Sequence, residues 1–218
     1  MITDKIMIMG AMKDVELNLI LDYLKDIRIH VEATYTFYEG KLYDKDIVVC
    51  HTGIGTINAA VATFIGIKKY NPTAIFVIGT AGAHSEELHN EDLVVATSVL
   101  DLNSLNYEIK TLKSSEALIE LMKKHCQTST FYTYFGVVGS GDVWNKDTLK
   151  IKELNKKYGT LCEEMESIGV YEIAHKYNVP VITIRIISNN EITGEEYDRR
   201  VGEGVQSDLM MFLMSLNK

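Results

Sequence analysis

Short runs of β-type residues alternate along this chain with amphipathic stretches of helical length, and this alternation constrains the fold more than any other feature. Segments that alternate in this way pack as a largely parallel sheet with helices on both faces. The pattern predicts strands at residues 5–9, 46–50, 74–78, 92–100, 133–138 and 181–187. It predicts helices at residues 14–24, 57–70, 115–125, 164–177 and 203–216.

One stretch departs from this pattern and makes the predicted sheet mixed. Residues 29–42 alternate between apolar and polar side chains, and Glu39-Gly40 is typical of a hairpin turn, so a local antiparallel excursion is expected. Pro72 and Pro180 each follow a predicted helix and precede an apolar strand, where a helix cannot continue. No Pro/Gly/Ser-rich linker interrupts the 218 residues. We therefore expect one three-layer α/β/α domain over residues 1–218, with a mixed, largely parallel twisted sheet.

Charge and cysteine content narrow the classes of partner. A formal net charge of −8 argues against a surface that tracks nucleic-acid phosphates, so small molecules are the expected partners. The apolar runs are strand-sized, which predicts no membrane span, and residues 1–4 lack the basic start of a signal peptide, which predicts a cytoplasmic protein. The three cysteines form neither a disulfide framework nor a zinc spacing, and no metal or organic cofactor is expected.

Small polar loops follow the predicted strands and mark the expected binding site. In open α/β sheets ligands bind beyond the carboxyl ends of the strands, where glycines let backbone N–H groups approach a substrate. One such loop would be only a turn, but five together favour a pocket. They are residues 10–12, 52–55, 79–82, 139–142 and 188–190.

The run Glu163-Glu164-Met165-Glu166 is expected to open a helix, where the helix dipole favours carboxylates. Helix electrostatics explain its acidity but not its order. Glu164-Met165-Glu166, followed by Asn178-Val179-Pro180 and the strand end Arg185-Ile186-Ile187-Ser188, resembles the signature of the methylthioadenosine/S-adenosylhomocysteine nucleosidases. The motifs at residues 9–12, 52–60, 79–82 and 140–142 fall in the family's order, so the resemblance spans essentially the whole chain.

The resemblance implies a role for each of these positions. Glu166 would hold the ribose hydroxyls, because a carboxylate can accept two hydrogen bonds, and Met165 would pack on the sugar. Trp144, the only tryptophan, would stack on the base. Glu16 would be the general base that activates water, with Thr52 helping to hold that water. Four further residues are expected in the substrate pocket: Glu164, Gly82, Val143 and Ser188.

Two departures from the family pattern accompany these assignments. Glu16 stands one place later than the family's base, which requires a one-residue insertion at Lys13 or Asp14. Asn189 stands where the family has its general acid, an aspartate. An asparagine cannot donate a proton as a carboxylic acid does, but its amide can hydrogen-bond purine N7 or the O6 of a hypoxanthine-like base. This chemistry resembles the futalosine hydrolases and the trimeric purine nucleoside phosphorylases, so the leaving base stays open. If the base is adenine, Asn190, Glu191 or a water could supply the proton instead.

Three functions remain in view. A phosphorylase would need fixed cations for phosphate, and no arginine falls in the loops at Gly10, Gly53 or Gly79, which favours hydrolysis. A nucleoside-binding sensor that has lost its acid is the alternative from a different class. The expected function is hydrolysis of a purine nucleoside, most closely of the 5'-methylthioadenosine/S-adenosylhomocysteine type. The family resemblance also implies a homodimer.

Overall fold

The computed structural model describes residues 5–105 and 107–216, and within them it has one mixed sheet with helices on both sides. Residues 1–4, from which the cytoplasmic expectation partly derives, lie outside this description. The strands are β1 Ile6–Gly10, β2 Lys25–Glu32, β3 Tyr35–Leu42, β4 Lys45–His51, β5 Ala74–Ala83, β6 Leu93–Asp101, β7 Thr111–Lys113, β8 Thr133–Ser140, β9 Thr160–Glu164 and β10 Val181–Asn189. The helices are α1 Asn18–Tyr23, α2 Thr56–Tyr70, α3 Glu116–His125, α4 Thr148–Tyr158, α5 Ser167–Lys176 and α6 Gly202–Ser215.

The strand order within the sheet is β10-β6-β8-β9-β5-β1-β4-β3-β2, with β7 beside β6. Strand β5 also pairs with β10, so β5, β10, β6, β8 and β9 close into a ring. The pairs β1–β4, β1–β5, β5–β10, β6–β8 and β8–β9 are parallel. The pairs β2–β3, β3–β4, β5–β9, β6–β7 and β6–β10 are antiparallel. The prediction of a mixed sheet is confirmed.

Two apolar clusters cover the two faces of the sheet, because alternate residues of a strand point to opposite sides. Ile6 and Ile8 of β1 pack in one cluster with residues of α1, α3 and α6. Met7 and Met9 of the same strand pack in the other with residues of α2 and α5. This arrangement gives the expected helix, sheet and helix layers. None of the helices in the described part of the chain is long and apolar enough to cross a membrane.

The predicted hairpin exists, but its turn was placed wrongly. Ala33 and Thr34 connect β2 to β3 with φ values of 47° and 75°, which is the left-handed backbone of a tight hairpin. Gly40 lies inside β3, where a Cβ atom would come within 2.6 Å of the Lys25 carbonyl oxygen. The glycine therefore serves the close approach of two strands and not the turn.

The prediction that Glu163–Glu166 opens a helix was also wrong. Glu163 and Glu164 end strand β9, and α5 begins only at Ser167 with Glu166 as its N-cap residue. Strand β9 and the preceding helix α4 were not predicted. The two proline boundaries are confirmed, since α2 ends at Tyr70 before β5 and α5 ends at Lys176 before β10.

Candidate active site

The loops after the strand ends form an open cleft of about 70 Å³. Its lining brings together side chains that are far apart in the sequence, as the loop pattern predicted. The lining residues are Ala11, Met12, Glu16, Ile54, Thr80, Trp144, Glu164, Met165 and Glu166. Five of these nine are residues that the sequence assigned to the site, namely Glu16, Trp144, Glu164, Met165 and Glu166.

Glu16 is buried, with only 2% of its surface exposed, and its carboxylate is held by backbone N–H groups. The N–H groups of Ala11 and Met12 donate to Oε2 at 2.8 and 2.9 Å. The N–H of Thr80 donates to Oε1 at 3.0 Å. Gly79 makes room for this oxygen, because a Cβ atom there would lie 2.5 Å from it. The fixed donors keep the side chain at the edge of the cleft.

The local helix explains why Glu16 stands one place later than the family pattern. Residues Lys13–Leu17 form a π-helical turn before α1. Hydrogen bonds in a π-helix join residues i and i+5, so such a turn accommodates one more residue than an α-helical turn. The π-helical turn is therefore consistent with a one-residue insertion ahead of Glu16, and it supports the displaced assignment.

Arg185 lies beneath the acidic side of the cleft and is 1% exposed. Its guanidinium pairs with Glu164 and lies 3.5 Å from the Glu166 carboxylate. Glu164 also accepts hydrogen bonds from the N–H groups of Glu166 and Ser167, so its carboxylate is committed to Arg185 and to the start of α5. The sequence placed Arg185 in the strand-end motif of the family but gave it no role in the site. A lone charge within the apolar strand β10 was the signal that could have marked it.

Glu166 faces the cleft with one of its carboxylate oxygens already engaged. The N–H of Gly55 donates to Oε1 at 3.2 Å. Burial raises the pKa of Glu166 to about 8, and the negative charges of Glu164 and Glu16 add to this, while Arg185 and the Gly55 hydrogen bond oppose it. A carboxyl group with this pKa can change its protonation state near neutral pH.

Beside Trp144 lie three predicted residues that are not part of the lining of the cleft, Gly82, Ser188 and Asn189. A Cβ atom on Gly82 would lie 3.0 Å from Trp144 Cζ2 and 3.4 Å from Asn189 Oδ1, so both side chains lie close to Gly82. Asn189 is buried, and its Nδ2 donates to Glu191 Oε1 at 3.3 Å. Ser188 Oγ donates to Asn189 Oδ1 and to the Ala81 carbonyl oxygen. The predicted residues Gly82, Trp144, Ser188 and Asn189 are thus gathered at one place.

Thr52 and Val143 lie differently with respect to this cleft. Thr52 is buried below it, beside a narrow space that Glu166 and Arg185 also border. Its hydroxyl donates to the Gly53 carbonyl oxygen at 2.8 Å. Val143 is 64% exposed and is absent from the lining of the cleft. The structure therefore does not bring Val143 together with the other predicted residues.

Asp142 connects the Trp144 loop to helix α2. Its carboxylate accepts hydrogen bonds from the Thr56 N–H at 2.8 Å and from the Thr56 hydroxyl at 2.6 Å. Asn103 Nδ2 donates to the same carboxylate at 3.1 Å. Asp142 thus satisfies a backbone donor at the helix start that would otherwise lack a partner. The Ser140-Gly141-Asp142 motif was visible in the sequence, but this capping role was not assigned.

Comparison with known proteins defines the class to which this fold and cleft belong. The family model described as the phosphorylase superfamily matches residues 5–210, so the chain belongs to the phosphorylase superfamily. Within it, the chain is 32% identical over 204 residues to the 5'-methylthioadenosine/S-adenosylhomocysteine nucleosidase of Halalkalibacterium halodurans. That match covers 88% of this chain and 87% of the relative. The resemblance seen in the sequence motifs is confirmed.

Solved structures show the same fold at lower sequence identity. The S-adenosylhomocysteine nucleosidase of Streptococcus pyogenes, in complex with 5-methylthiotubericidin, superposes with a TM-score of 0.88 at 24% identity and covers 99% of this chain and 98% of its own. A mutant futalosine hydrolase of Helicobacter pylori gives a TM-score of 0.84 at 21% identity and covers 99% of this chain and 100% of its own. The fold is therefore shared by nucleosidases whose names differ in substrate.

Proposed function

We propose that this chain hydrolyses the N-glycosidic bond of a purine nucleoside of the 5'-methylthioadenosine/S-adenosylhomocysteine type. The products are a free base and a ribose that carries the 5' substituent. The observation that carries the proposal is the cleft that unites Glu16, Glu166 and Trp144. The curated relative at 32% identity is named as a nucleosidase of this type.

Glu16 is the general base for the attacking water. Its carboxylate is buried and aligned by fixed N–H donors, so little rearrangement is needed when it takes a proton. Thr52, which borders the narrow space below the cleft, is assigned the role of helping to hold this water. General base catalysis requires such a carboxylate within hydrogen-bond reach of the water.

Glu166 and Met165 hold the ribose. The carboxylate of Glu166 has one oxygen on the Gly55 N–H, and it retains lone pairs that can accept the hydroxyl protons of the sugar. These hydrogen bonds strengthen as the sugar gains positive charge in the transition state. Glu164 supports this arrangement indirectly, by anchoring the start of α5 and the Arg185 guanidinium.

Trp144 and Asn189 bind the base. The indole stacks on the purine, and the Asn189 amide hydrogen-bonds its edge at N7. The amide stabilises the departing base without transferring a proton to it.

Water is a better nucleophile for this site than phosphate. The described residues that line the cleft include neither lysine nor arginine. Arg185, beneath them, is paired with Glu164. Phosphate would need unpaired cations that can clamp its oxygens.

A second candidate is hydrolysis of a futalosine-type 6-oxopurine nucleoside. The observation that favours it is the position of Asn189 beside Trp144 and Gly82, because an amide can donate to O6 as well as to N7. The difference between the two candidates lies in the base and not in the sugar chemistry.

Release of free base from a substrate panel tests the proposal. The panel contains methylthioadenosine, S-adenosylhomocysteine, 5'-deoxyadenosine, adenosine, futalosine and inosine, each with and without phosphate. We expect adenine release from the 5'-thio nucleosides that is independent of phosphate. Release only from futalosine or inosine would favour the second candidate, and a requirement for phosphate would mean a phosphorylase. Thermal stabilisation by nucleosides without any release would mean a binding protein.

The proposal includes a homodimer in the cytoplasm. Ile57, Val61 and Phe64 follow one another at helical spacing on α2 and are 76%, 38% and 44% exposed, which is an apolar stripe suited to a second subunit. The cysteines are free thiols, as expected in a reducing compartment. Sedimentation of the native chain and of a Phe64→Glu variant tests the dimer, because a charge in the stripe should yield monomers.

A further inference from the structure

Three polar side chains lie together outside the residues that the reaction uses, and they contact the loop that carries Trp144. They are His84, Glu163 and Asn145, with 1%, 2% and 8% of their surfaces exposed. We propose that Glu163, supported by His84, is a positioning residue that fixes Trp144 for stacking on the base. The proposal rests on the role of Trp144 in the proposed function.

Glu163 accepts two hydrogen bonds from the residue directly after Trp144. The backbone N–H of Asn145 donates to Glu163 Oε1 at 2.6 Å, and its side-chain Nδ2 donates to Oε2 at 2.6 Å. The backbone N–H belongs to the peptide that joins Trp144 to Asn145. The two bonds therefore fix both the direction of the chain leaving Trp144 and the side chain that follows it.

His84 stands on the other side of the Glu163 carboxylate. Its Nε2 lies 3.2 Å from Glu163 Oε2, and its Nδ1 lies 2.8 Å from Thr160 Oγ1. The backbone N–H of His84 donates to the Leu161 carbonyl oxygen. His84 is thus anchored on the β5–β9 pair, and its Nε2 lies against the carboxylate without a hydrogen bond of its own.

The strand register places this carboxylate on the side of the sheet where Trp144 packs. Gly82 and Glu163 are direct partners in the antiparallel pair β5–β9, and direct partners project from the same face. The missing side chain of Gly82 is the space that the Trp144 ring occupies. The Trp144 loop is therefore held at Asp142 by its bonds to Thr56 and Asn103, and at Asn145 by Glu163.

Burying a carboxylate is energetically unfavourable if its only purpose is to pack a loop. Burying a charge is unfavourable unless it is paired and hydrogen-bonded, and an apolar side chain would fill the same volume without that cost. What the carboxylate adds is direction, because its two oxygens accept from two donors of one residue. Two directional hydrogen bonds can fix the orientation of the Trp144 ring, whereas apolar packing alone would not need them.

Trp144 is the only tryptophan in the chain, so its fluorescence reports on this loop alone. The test compares the native chain with Glu163→Gln, in which the amide can no longer accept from both Asn145 donors. In the ligand-free protein we expect stronger quenching of Trp144 by acrylamide, because the ring is held less firmly. For the nucleoside substrate we expect KM to rise about tenfold while kcat changes less than about threefold, since Glu16 and Glu166 are untouched.

Asp208→Asn is the matched control. Asp208 is also a buried carboxylate, and it accepts hydrogen bonds from Ser129 Oγ at 2.7 Å and pairs with His125 at 3.0 Å. We expect this variant to lose thermal stability without a change in Trp144 quenching or in KM. Unchanged quenching and KM in Glu163→Gln would overturn the proposal, and so would equal changes in both variants.

A further variant keeps the test decisive if Glu163→Gln does not fold. Asn145→Ala removes the Nδ2 donor but leaves the backbone bond to Glu163, so we expect a smaller change in quenching in the same direction. No change in this variant would contradict the proposal. The quenching experiment needs no substrate, so its failure is distinguishable from a failure of the proposed nucleoside hydrolysis.

Discussion

The two ends of the cleft are built from different chemistry. The sugar end has three carboxylates, Glu16, Glu164 and Glu166, around the single guanidinium of Arg185. The base end has an indole, an amide and a glycine, at Trp144, Asn189 and Gly82. The first end carries carboxyl groups that can take up protons and respond to pH, and the second offers stacking and hydrogen bonds, with the Glu191 carboxylate beside Asn189.

This difference assigns the two halves of the proposed reaction to different ends of the cleft. Activation of water and stabilisation of a positively charged sugar both need negative charge, which the first end supplies in excess. Protonation of a leaving base needs an acid, and at the second end Asn189 stands in place of one, with the Glu191 carboxyl group as its hydrogen-bond partner. The most sensitive substitutions should therefore lie at the sugar end, and gains in rate should be available only at the base end.

Among substitutions at the sugar end, Glu16→Gln should lower kcat the most. The amide keeps the size of the side chain but cannot accept a proton from water, so we expect kcat to fall by about 10²- to 10⁴-fold. Steady-state release of base from the best substrate in the panel measures the change. Asp14→Asn, an exposed acid in the same π-helical turn, is the control and should retain native turnover. Native turnover in Glu16→Gln would remove Glu16 as the base.

Asn189→Asp should put an acid at the base end in place of the amide. If the substrate is an adenine nucleoside, an aspartic acid at this position can protonate N7, and we expect kcat to rise by about 10- to 100-fold. Base release across pH 5 to 8 measures the gain, which should be largest where the new acid is protonated. A loss of activity, together with a native preference for futalosine or inosine, would contradict this and favour a 6-oxopurine.

The same division explains what could be predicted from the sequence. Glu16, Trp144, Met165 and Glu166 were assigned because short motifs carry them, and the structure brings them to one cleft. Arg185 was missed because its role depends on two carboxylates from another strand and helix start, which no local pattern records. Tertiary partners, and not local spacing, define that role.

The fold shows the same limit. The alternating pattern predicted the layers and the core strands, because burial imposes periodicity on the sequence. Strand β9 escaped prediction because its last residues, Glu163 and Glu164, are buried acids. Glu163 is hydrogen-bonded by Asn145 and Glu164 is paired with Arg185. An acidic run without these partners predicts an exposed helix start instead. Gly40 was predicted in the hairpin turn for the same reason, because the contact that requires a glycine there is with another strand and leaves no local pattern.

Substrate affinity should depend on pH through Glu166 at the sugar end of the cleft. Burial raises the pKa of Glu166 to about 8, and the ionised form is the one that can accept both ribose hydroxyls. We therefore expect KM to fall, by up to about tenfold, as the pH is raised from 7 to 9. In Glu166→Gln, KM should be higher and independent of pH in this range. A native KM that rises with pH would contradict the assignment.

Stability provides an independent check on the same group. Because the pKa of Glu166 in the folded chain lies above its ordinary value of 4.5, the folded state retains a proton that the unfolded state releases. The protonated Glu166 carboxyl therefore contributes its full stabilisation of the folded state below pH 4.5, and this stabilisation is lost as the pH rises towards 8. Glu166→Gln should flatten that part of the profile, by at most about 1.4 kcal/mol per pH unit. Urea unfolding at a series of pH values measures it.

Trp144→Phe should have the smallest effect, because the base end depends on a flat aromatic face and not on charge. Phenylalanine keeps that face but loses area, so we expect KM to rise by less than about threefold and kcat to stay close to the native value. Trp144→Ala removes the face and should raise KM by about tenfold or more, since stacking contributes on the order of 1 to 3 kcal/mol per base. Initial rates over a range of substrate concentrations separate the two variants. Equal KM values for Phe and Ala would mean that the ring does not stack on the base, and the base end of the cleft would then depend on Asn189 alone.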